Sequence, residues 1–120
     1  MEGLTVNVTS PIESPDVKVL VVKGFLDTTT APNFEKTFQE ALNNNYYKLI
    51  IDLSGVNYIS SAGWGIFVGE LRRIRESKGN LFLVGMNEEV FEVFELLGFN
   101  AIIQSFSDVP TAIREGFQKS

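Results

Sequence analysis

Apolar positions along the chain switch between strand-like and helix-like spacing. Leu4 to Thr9 alternates apolar and polar residues, which predicts an edge strand closed by Ser10-Pro11. Glu13 to Asp16, with Pro15, predicts a turn. Val17 to Phe25 is nearly continuous in Val and Leu, the pattern of a strand covered on both faces. Gly24-Phe25-Leu26-Asp27-Thr28-Thr29-Thr30 leads into a helix that one of the threonines is expected to cap, with Pro32 in its first turn. Phe34, Phe38, Ala41 and Leu42 give this helix an apolar stripe at i, i+4, i+7 and i+8, and Asn43-Asn44-Asn45 ends it.

The second half repeats the alternation. Lys48 to Leu53 predicts a central strand that breaks at Ser54-Gly55, and Val56 to Ile59 a short segment after it. Ser61 to Ser77 predicts one long helix, stopped at Lys78-Gly79-Asn80. Leu81 to Val84 is a strand with Gly85 turning out of it. Asn87 caps a helix from Glu88 to Leu97 with Gly98 at C′. Ala101 to Ile103 predicts a short strand, and Ser107 or Asp108 opens a last helix through Phe117. The order ββαβαβαβα predicts an α/β fold with a central, mostly parallel mixed sheet of about five strands and four helices. The length of 120 residues fits one domain, and no repeat or linker interrupts it.

Composition narrows the chemistry. A net charge of −5 argues against nucleic-acid binding, which needs a clustered basic surface. No apolar run reaches the ~18 residues of a membrane span and no leader pattern is present, so the expected location is cytoplasmic, without membrane insertion. With no Cys and no His, thiol chemistry, the usual general base, the usual zinc ligand and the Ser-His-Asp triad all drop out. Asp27 and Asp52 stand apart and no phosphate-binding G-x-x-x-x-G-K-[ST] loop occurs, so no metal, no cofactor and no enzymatic activity are expected.

The candidate chemistry lies in Asp52-Leu53-Ser54-Gly55-Val56-Asn57-Tyr58-Ile59-Ser60-Ser61-Ala62-Gly63-Trp64-Gly65. It delivers two serines onto a helix start, where free N–H groups and the helix dipole favour a phosphate dianion. Ser60-Ser61 is open to two readings that are compatible: an N-cap, with Ser60 capping, and a hydroxyl presented for phosphorylation by Ser61. On a helical wheel Gly63, Phe67, Leu71 and Ile74 share the buried face. Gly65, Gly69 and Arg72 lie opposite, with Ser61, Trp64 and Val68 on the adjoining flank. Glycines on an outward helix face each cost about 1 kcal/mol relative to Ala, so this face is either kept bare for close approach of a partner backbone or its glycines are merely tolerated. Trp64 is expected to be partly exposed on that flank as an aromatic anchor, or else buried against the neighbouring loop. Asp27 has a turn role and a recognition role open to it.

Two motifs, Gly24-Phe25-Leu26-Asp27 and Asp52-Leu53-Ser54-Gly55-Val56 followed by Ile59-Ser60-Ser61-Ala62-Gly63-Trp64-Gly65, resemble the STAS domain of bacterial anti-sigma factor antagonists. The resemblance covers essentially residues 1–120 and implies a single STAS domain. It implies an antagonist whose dephosphorylated form sequesters an anti-sigma factor that is itself a serine kinase, freeing the sigma factor. The resemblance further implies that phosphorylation at Ser61 switches binding off and that a PP2C-type phosphatase, bound transiently, resets the cycle. Aligned on the family's pattern, the phosphoacceptor is Ser61, and the usual Asp before it is Ser60 here, a departure that leaves Ser60 as the alternative acceptor. Asp27, Ser60, Ser61, Trp64, Gly65, Val68, Gly69 and Arg72 form the expected partner surface. The alternative is a constitutive, unphosphorylated STAS adaptor subunit of a transporter ATPase or stress-signalling scaffold.

Overall fold

A computed structural model describes residues 3–118. The elements run β1 (Leu4–Thr9), β2 (Val17–Leu26), α1 (Ala31–Asn43), β3 (Lys48–Ile59), α2 (Ser61–Gly69) and α3 (Leu71–Glu76). Then follow β4 (Asn80–Val84), α4 (Glu88–Leu96), a 3-10 turn at Phe99–Ala101, β5 (Gln104–Phe106) and α5 (Val109–Thr111), which winds on as a π-helix over Ala112–Phe117. The strands form one sheet in the order β1-β2-β3-β4-β5, antiparallel only between β1 and β2. This is the α/β architecture and element order that the hydrophobic pattern predicts.

Because the parallel strands are added in one direction, right-handed crossovers carry α1, α2–α3 and α4 to the same face. The larger core lies there: Phe34 and Phe38 from α1, Phe67 from α2, Ile74 from α3 and Phe94 from α4 meet Leu20, Val22, Leu49, Ile51 and Leu83 of the sheet. A smaller core on the opposite face joins Val19, Ile50, Phe82 and Val84 to Ala112 of the last helical segment. Both faces of β3 and β4 are therefore covered, which is why these strands read as apolar runs rather than alternating ones.

Four local expectations change. Ser54-Gly55 is no break: β3 runs through it, and its pairing with β2 slips by one residue between Val21 and Lys23 and again between Gly24 and Phe25. These are β-bulges, each adding a residue to β3; they bend the strand and re-aim its end. The long second helix is two, interrupted at Glu70 (φ −104°, ψ 0°), whose carboxylate accepts a hydrogen bond from Gln39 Nε2 at 2.6 Å. Gly69 offers little helical preference at the break, and Arg73 next to it donates to Asn43 Oδ1, tying α3 to α1. The expected strand at Ala101–Ile103 is instead the end of a 3-10 turn followed by Ile103, buried in the larger core, while the strand falls on Gln104–Phe106. Finally, Thr30 occupies the N-cap position of α1 without a side-chain cap bond. The Asn87 and Asp108 caps form as expected, accepting from the Val90 and Thr111 N–H groups at 2.8 and 2.9 Å. No helix among the described residues is long and apolar enough to cross a membrane.

Candidate functional site: the β3–α2 junction

The candidate residues converge at the carboxyl ends of two neighbouring parallel strands, the edge where open α/β sheets present their functional groups. Leu26 at the end of β2 pairs with Ile59 at the end of β3, and the Ser60 N–H donates to the Leu26 carbonyl at 2.8 Å. Asp27 and Ser60 thus follow one another across adjacent strands, and Ser61 opens α2.

The two serines divide the work. Ser60 has extended backbone geometry (φ −81°, ψ 172°), and its Oγ accepts from the Gly63 N–H at 3.3 Å, so it is the N-cap. Its carbonyl takes the Trp64 N–H at 3.0 Å, the first turn of the helix. Ser61 is the first helical residue and is exposed. The N–H groups of Ser61 and Ala62 have no intrahelical carbonyl to reach, leaving the positive end of α2 beside the Ser61 hydroxyl.

Asp27 has a demonstrable structural job. Its Oδ1 accepts from the Thr29 and Thr30 N–H groups at 2.9 and 3.0 Å, and its carbonyl takes the Ala31 N–H at 2.8 Å. The aspartate, rather than a threonine hydroxyl, is what satisfies the entry to α1. Thr30 Oγ1 instead accepts the Asp27 N–H at 2.9 Å and donates to the Phe25 carbonyl at 2.6 Å, locking the loop from the other side. A half-buried carboxylate held in this way stands rigidly beside the α2 start.

The outer face of α2 is as the helical wheel predicts. Gly63 is buried, and a Cβ there would meet Leu26 Cγ and Ile59 Cγ2 at 2.9 Å each. Gly65 and Gly69 are exposed, with nothing within 4 Å of where a Cβ would stand. Val68 is half-buried and packs against the core edge. Arg72 lies outside on α3, where its Nε donates to Glu76 Oε2 at 3.1 Å.

Trp64 does not belong to that outer surface. It is 2% exposed, stacked on Phe94 (centroids 5.8 Å apart) and edge-on to Phe67, with Phe99 at 5.4 Å. The wheel put it on the flank of a lone helix, but α4 and the 3-10 turn close over that flank and make it core. Its indole Nε1 is buried without a hydrogen-bond partner.

A cleft of about 340 Å³ opens between the β3–α2 junction and α4, with Tyr58, Ser61, Glu89, Val93 and Leu97 among its walls and Trp64 at its base. Tyr58 (52% exposed) and the α4 residues at its rim are not singled out by the sequence motifs. A signal for them exists: Val90, Phe91, Val93, Phe94, Leu96 and Leu97 cover a wider apolar arc than one buried helix face requires. Among the described residues no group of three or more acidic side chains is placed to hold a metal ion.

The STAS domain family model matches residues 10–112 of the chain. An anti-sigma-B factor antagonist of Listeria monocytogenes is 33% identical over 85 residues, spanning 71% of this chain and 75% of the relative. One of Staphylococcus aureus is 26% identical over 101 residues, spanning 84% and 91%. The crystal structure of a Thermotoga maritima protein assigned as an anti-sigma factor antagonist superposes with a TM-score of 0.83 at 31% identity, covering 92% of each chain. The chain belongs to the STAS-domain family of anti-sigma factor antagonists.

Proposed function

We propose that residues 1–120 act as one cytoplasmic STAS domain, a non-enzymatic antagonist that sequesters an anti-sigma factor while Ser61 is unmodified and releases it when Ser61 is phosphorylated. The anti-sigma factor is itself the serine kinase, and a PP2C-type phosphatase restores the binding form. The observation that carries this reading is the division between the serines: Ser60 Oγ is engaged in the cap, whereas Ser61 is exposed on the first turn of α2. Ser61 is thus the acceptor and Ser60 its positioning neighbour.

Binding uses the surface around that hydroxyl: Asp27, Ser60, Ser61, Gly65, Val68, Gly69 and Arg72. With no side chain on Gly65 or Gly69, a partner backbone reaches α2 itself. Phosphate adds about −1.5 to −2 charge beside the Asp27 carboxylate. The helix N-terminus can hold that charge, so the fold stays as it is. The partner surface, shaped for a neutral hydroxyl, must then desolvate a dianion without a matching cation, and affinity falls.

The test is site-mapping mass spectrometry on protein from its own cells, joined to binding measurements on Ser61→Asp and Ser61→Ala. A fractional phosphate on Ser61, an Ala variant that binds the copurifying kinase-like partner constitutively and an Asp variant that does not would establish the switch. An Asp variant that binds as tightly as the unmodified protein would overturn it.

A further inference from the structure

The run Thr5-Val6-Asn7-Val8-Thr9 reads the same in both directions, and it makes up most of β1, the outermost strand of the sheet. β1 pairs only with β2, so its other edge faces away from the sheet. One bond fixes which backbone groups lie on that edge. The Phe25 N–H donates to the Gly3 carbonyl at 2.7 Å, and along an antiparallel ladder every second residue faces the partner strand. Thr5, Asn7 and Thr9 therefore exchange bonds with Lys23, Val21 and Val19 of β2, and Val6 and Val8 turn their N–H and C=O groups outward. Those outward groups receive no hydrogen bond from elsewhere among the described residues.

Nothing blunts this edge. Sheet edges are ordinarily protected by charge, by proline or by a bulge. Leu4–Thr9 holds no charged residue and no Pro, and its pairing with β2 runs without a register shift. The side chains of Thr5, Asn7 and Thr9 are exposed on one face of the strand, and Val8 is 47% exposed on the other.

We infer that β1 pairs antiparallel with β1 of a second copy of this chain about a two-fold axis at Asn7, joining two five-stranded sheets into one. A palindrome is what such an axis asks for, because it sets each residue opposite its mirror position. Thr5 opposes Thr9 of the second copy, Val6 opposes Val8, and Asn7 opposes Asn7. The backbone agrees with this register. Val6 and Val8 both turn outward, so each Val6–Val8 pair exchanges both of its N–H···O bonds. Asn7 then forms a non-hydrogen-bonded pair, the kind in which side chains come closest, and the two amides can bond each other. Thr–Thr contacts flank it, and Val8 is covered by Val6 on the other face. This register does not call on Leu4, which is only 2% exposed already. A strand from an unrelated protein gains nothing from the palindrome; a second copy does.

Charge fits the same axis. Gly3 stands beside Thr30, and Val8 beside Thr37, Glu40 and Asn44, so α1 runs alongside β1 and the axis falls between Lys36 and Glu40. Both are exposed, and neither is in an ion pair among the described residues. The axis sets the two α1 helices antiparallel, bringing Lys36 of each copy level with Glu40 of the other. Helix α2 lies over β3, two strands in from the edge, so Ser61 of each copy stays uncovered. The pair then presents two such surfaces at once, and a partner with two binding sites gains from the raised effective concentration.

The test is sedimentation equilibrium of the full chain over a range of concentrations, with amide hydrogen exchange read by NMR. A monomer–dimer equilibrium is expected, with the Val6 and Val8 amides gaining protection as concentration rises. The Asn7 amide, bonded to β2, should be protected throughout. Thr5→Glu with Thr9→Glu sets like charges opposite each other and should weaken association by roughly tenfold or more. Thr5→Glu with Thr9→Lys sets opposite charges together in the same register and should keep association within about threefold of the unaltered chain. Lys36→Glu should weaken it by about threefold. All of these positions are exposed, so circular dichroism and the urea midpoint should show each variant folded.

A chain that sediments as a monomer at every concentration would overturn the inference. So would a dimer indifferent to Thr5→Glu with Thr9→Glu, which places the interface elsewhere. Equal loss in the like-charge and opposite-charge variants defeats the Asn7-centred register.

Discussion

Gly63 and Gly65 stand two residues apart on α2 and meet opposite surroundings. A Cβ on Gly63 would press to 2.9 Å from Leu26 and Ile59, whereas one on Gly65, like one on Gly69, would meet nothing. The same residue type serves close packing on the inner face and leaves the backbone bare on the outer one. The inner face also carries Trp64, Phe67 and, through α3, Leu71 and Ile74, all buried. The helix is therefore anchored on one side and stripped on the other, with Ser61 at the start of the boundary between them. A surface that must present a small hydroxyl to a close-fitting partner needs both: a rigid support, and no side chains in the way.

The sharpest way to break this contrast is from the inside. Trp64→Ala should cost about 3–5 kcal/mol by removing a ring packed among Phe67, Phe94 and Phe99, seen as a large drop in the urea midpoint. If Trp64→Ala folded normally but lost its partner, the residue would belong to the outer surface after all. Gly63→Val should cost about 1–3 kcal/mol, since Leu26 and Ile59 must move to admit it. Ser60→Ala should cost about 1 kcal/mol through loss of the cap and leave Ser61 as the phosphorylated residue in peptide mapping.

On the outer face the signs separate. Gly65→Ala should raise stability by about 0.5–1 kcal/mol in the same urea titration, because its Cβ meets open space in a helix. It should nonetheless weaken the complex with the anti-sigma factor, measured by calorimetry, as should Gly69→Ala with the fold unchanged. Unchanged affinity in both would mean that the outer glycines are only tolerated. The smallest effect is one of pH. Asp16 is held below its ordinary carboxylate range by the hydrogen bond from Lys48, and Asp108 by those from Thr111. Each contributes stability above the unfolded-state value near 3.8 and loses it as pH falls through the lowered folded-state value, so stability should dip only below about pH 4.

Much of the molecule is legible in local pattern. The stripe of Phe34, Phe38, Ala41 and Leu42 is the buried face of α1, and Asn87 and Gly98 bracket α4 as cap and C′ residue. Local hydrogen bonding and a period of 3.6 residues determine such features within a few positions of each other. The places where the pattern misleads are those where a distant element intervenes. Gln104-Ser105-Phe106 becomes a strand because β4 offers it a ladder, and the more apolar Ile103 before it is taken by the core. Ser54-Gly55 resembles a strand end, yet β2 continues beside it and the chain bulges instead of turning.

The site divides in the same way. Two serines at a helix start, a helix with one apolar and one bare face, and a chain without His, Cys or a phosphate loop are read directly off the residues. These follow from residue type and spacing alone. Folding in three dimensions puts Asp27 next to Ser60, because β2 and β3 are neighbours in the sheet. It also makes Trp64 core and sets Tyr58 across a cleft from Leu97, because α4 folds over a flank that a helical wheel treats as open. Periodicity reports which side of an element is apolar; what covers that side depends on elements far away in the chain, whose packing no local pattern encodes.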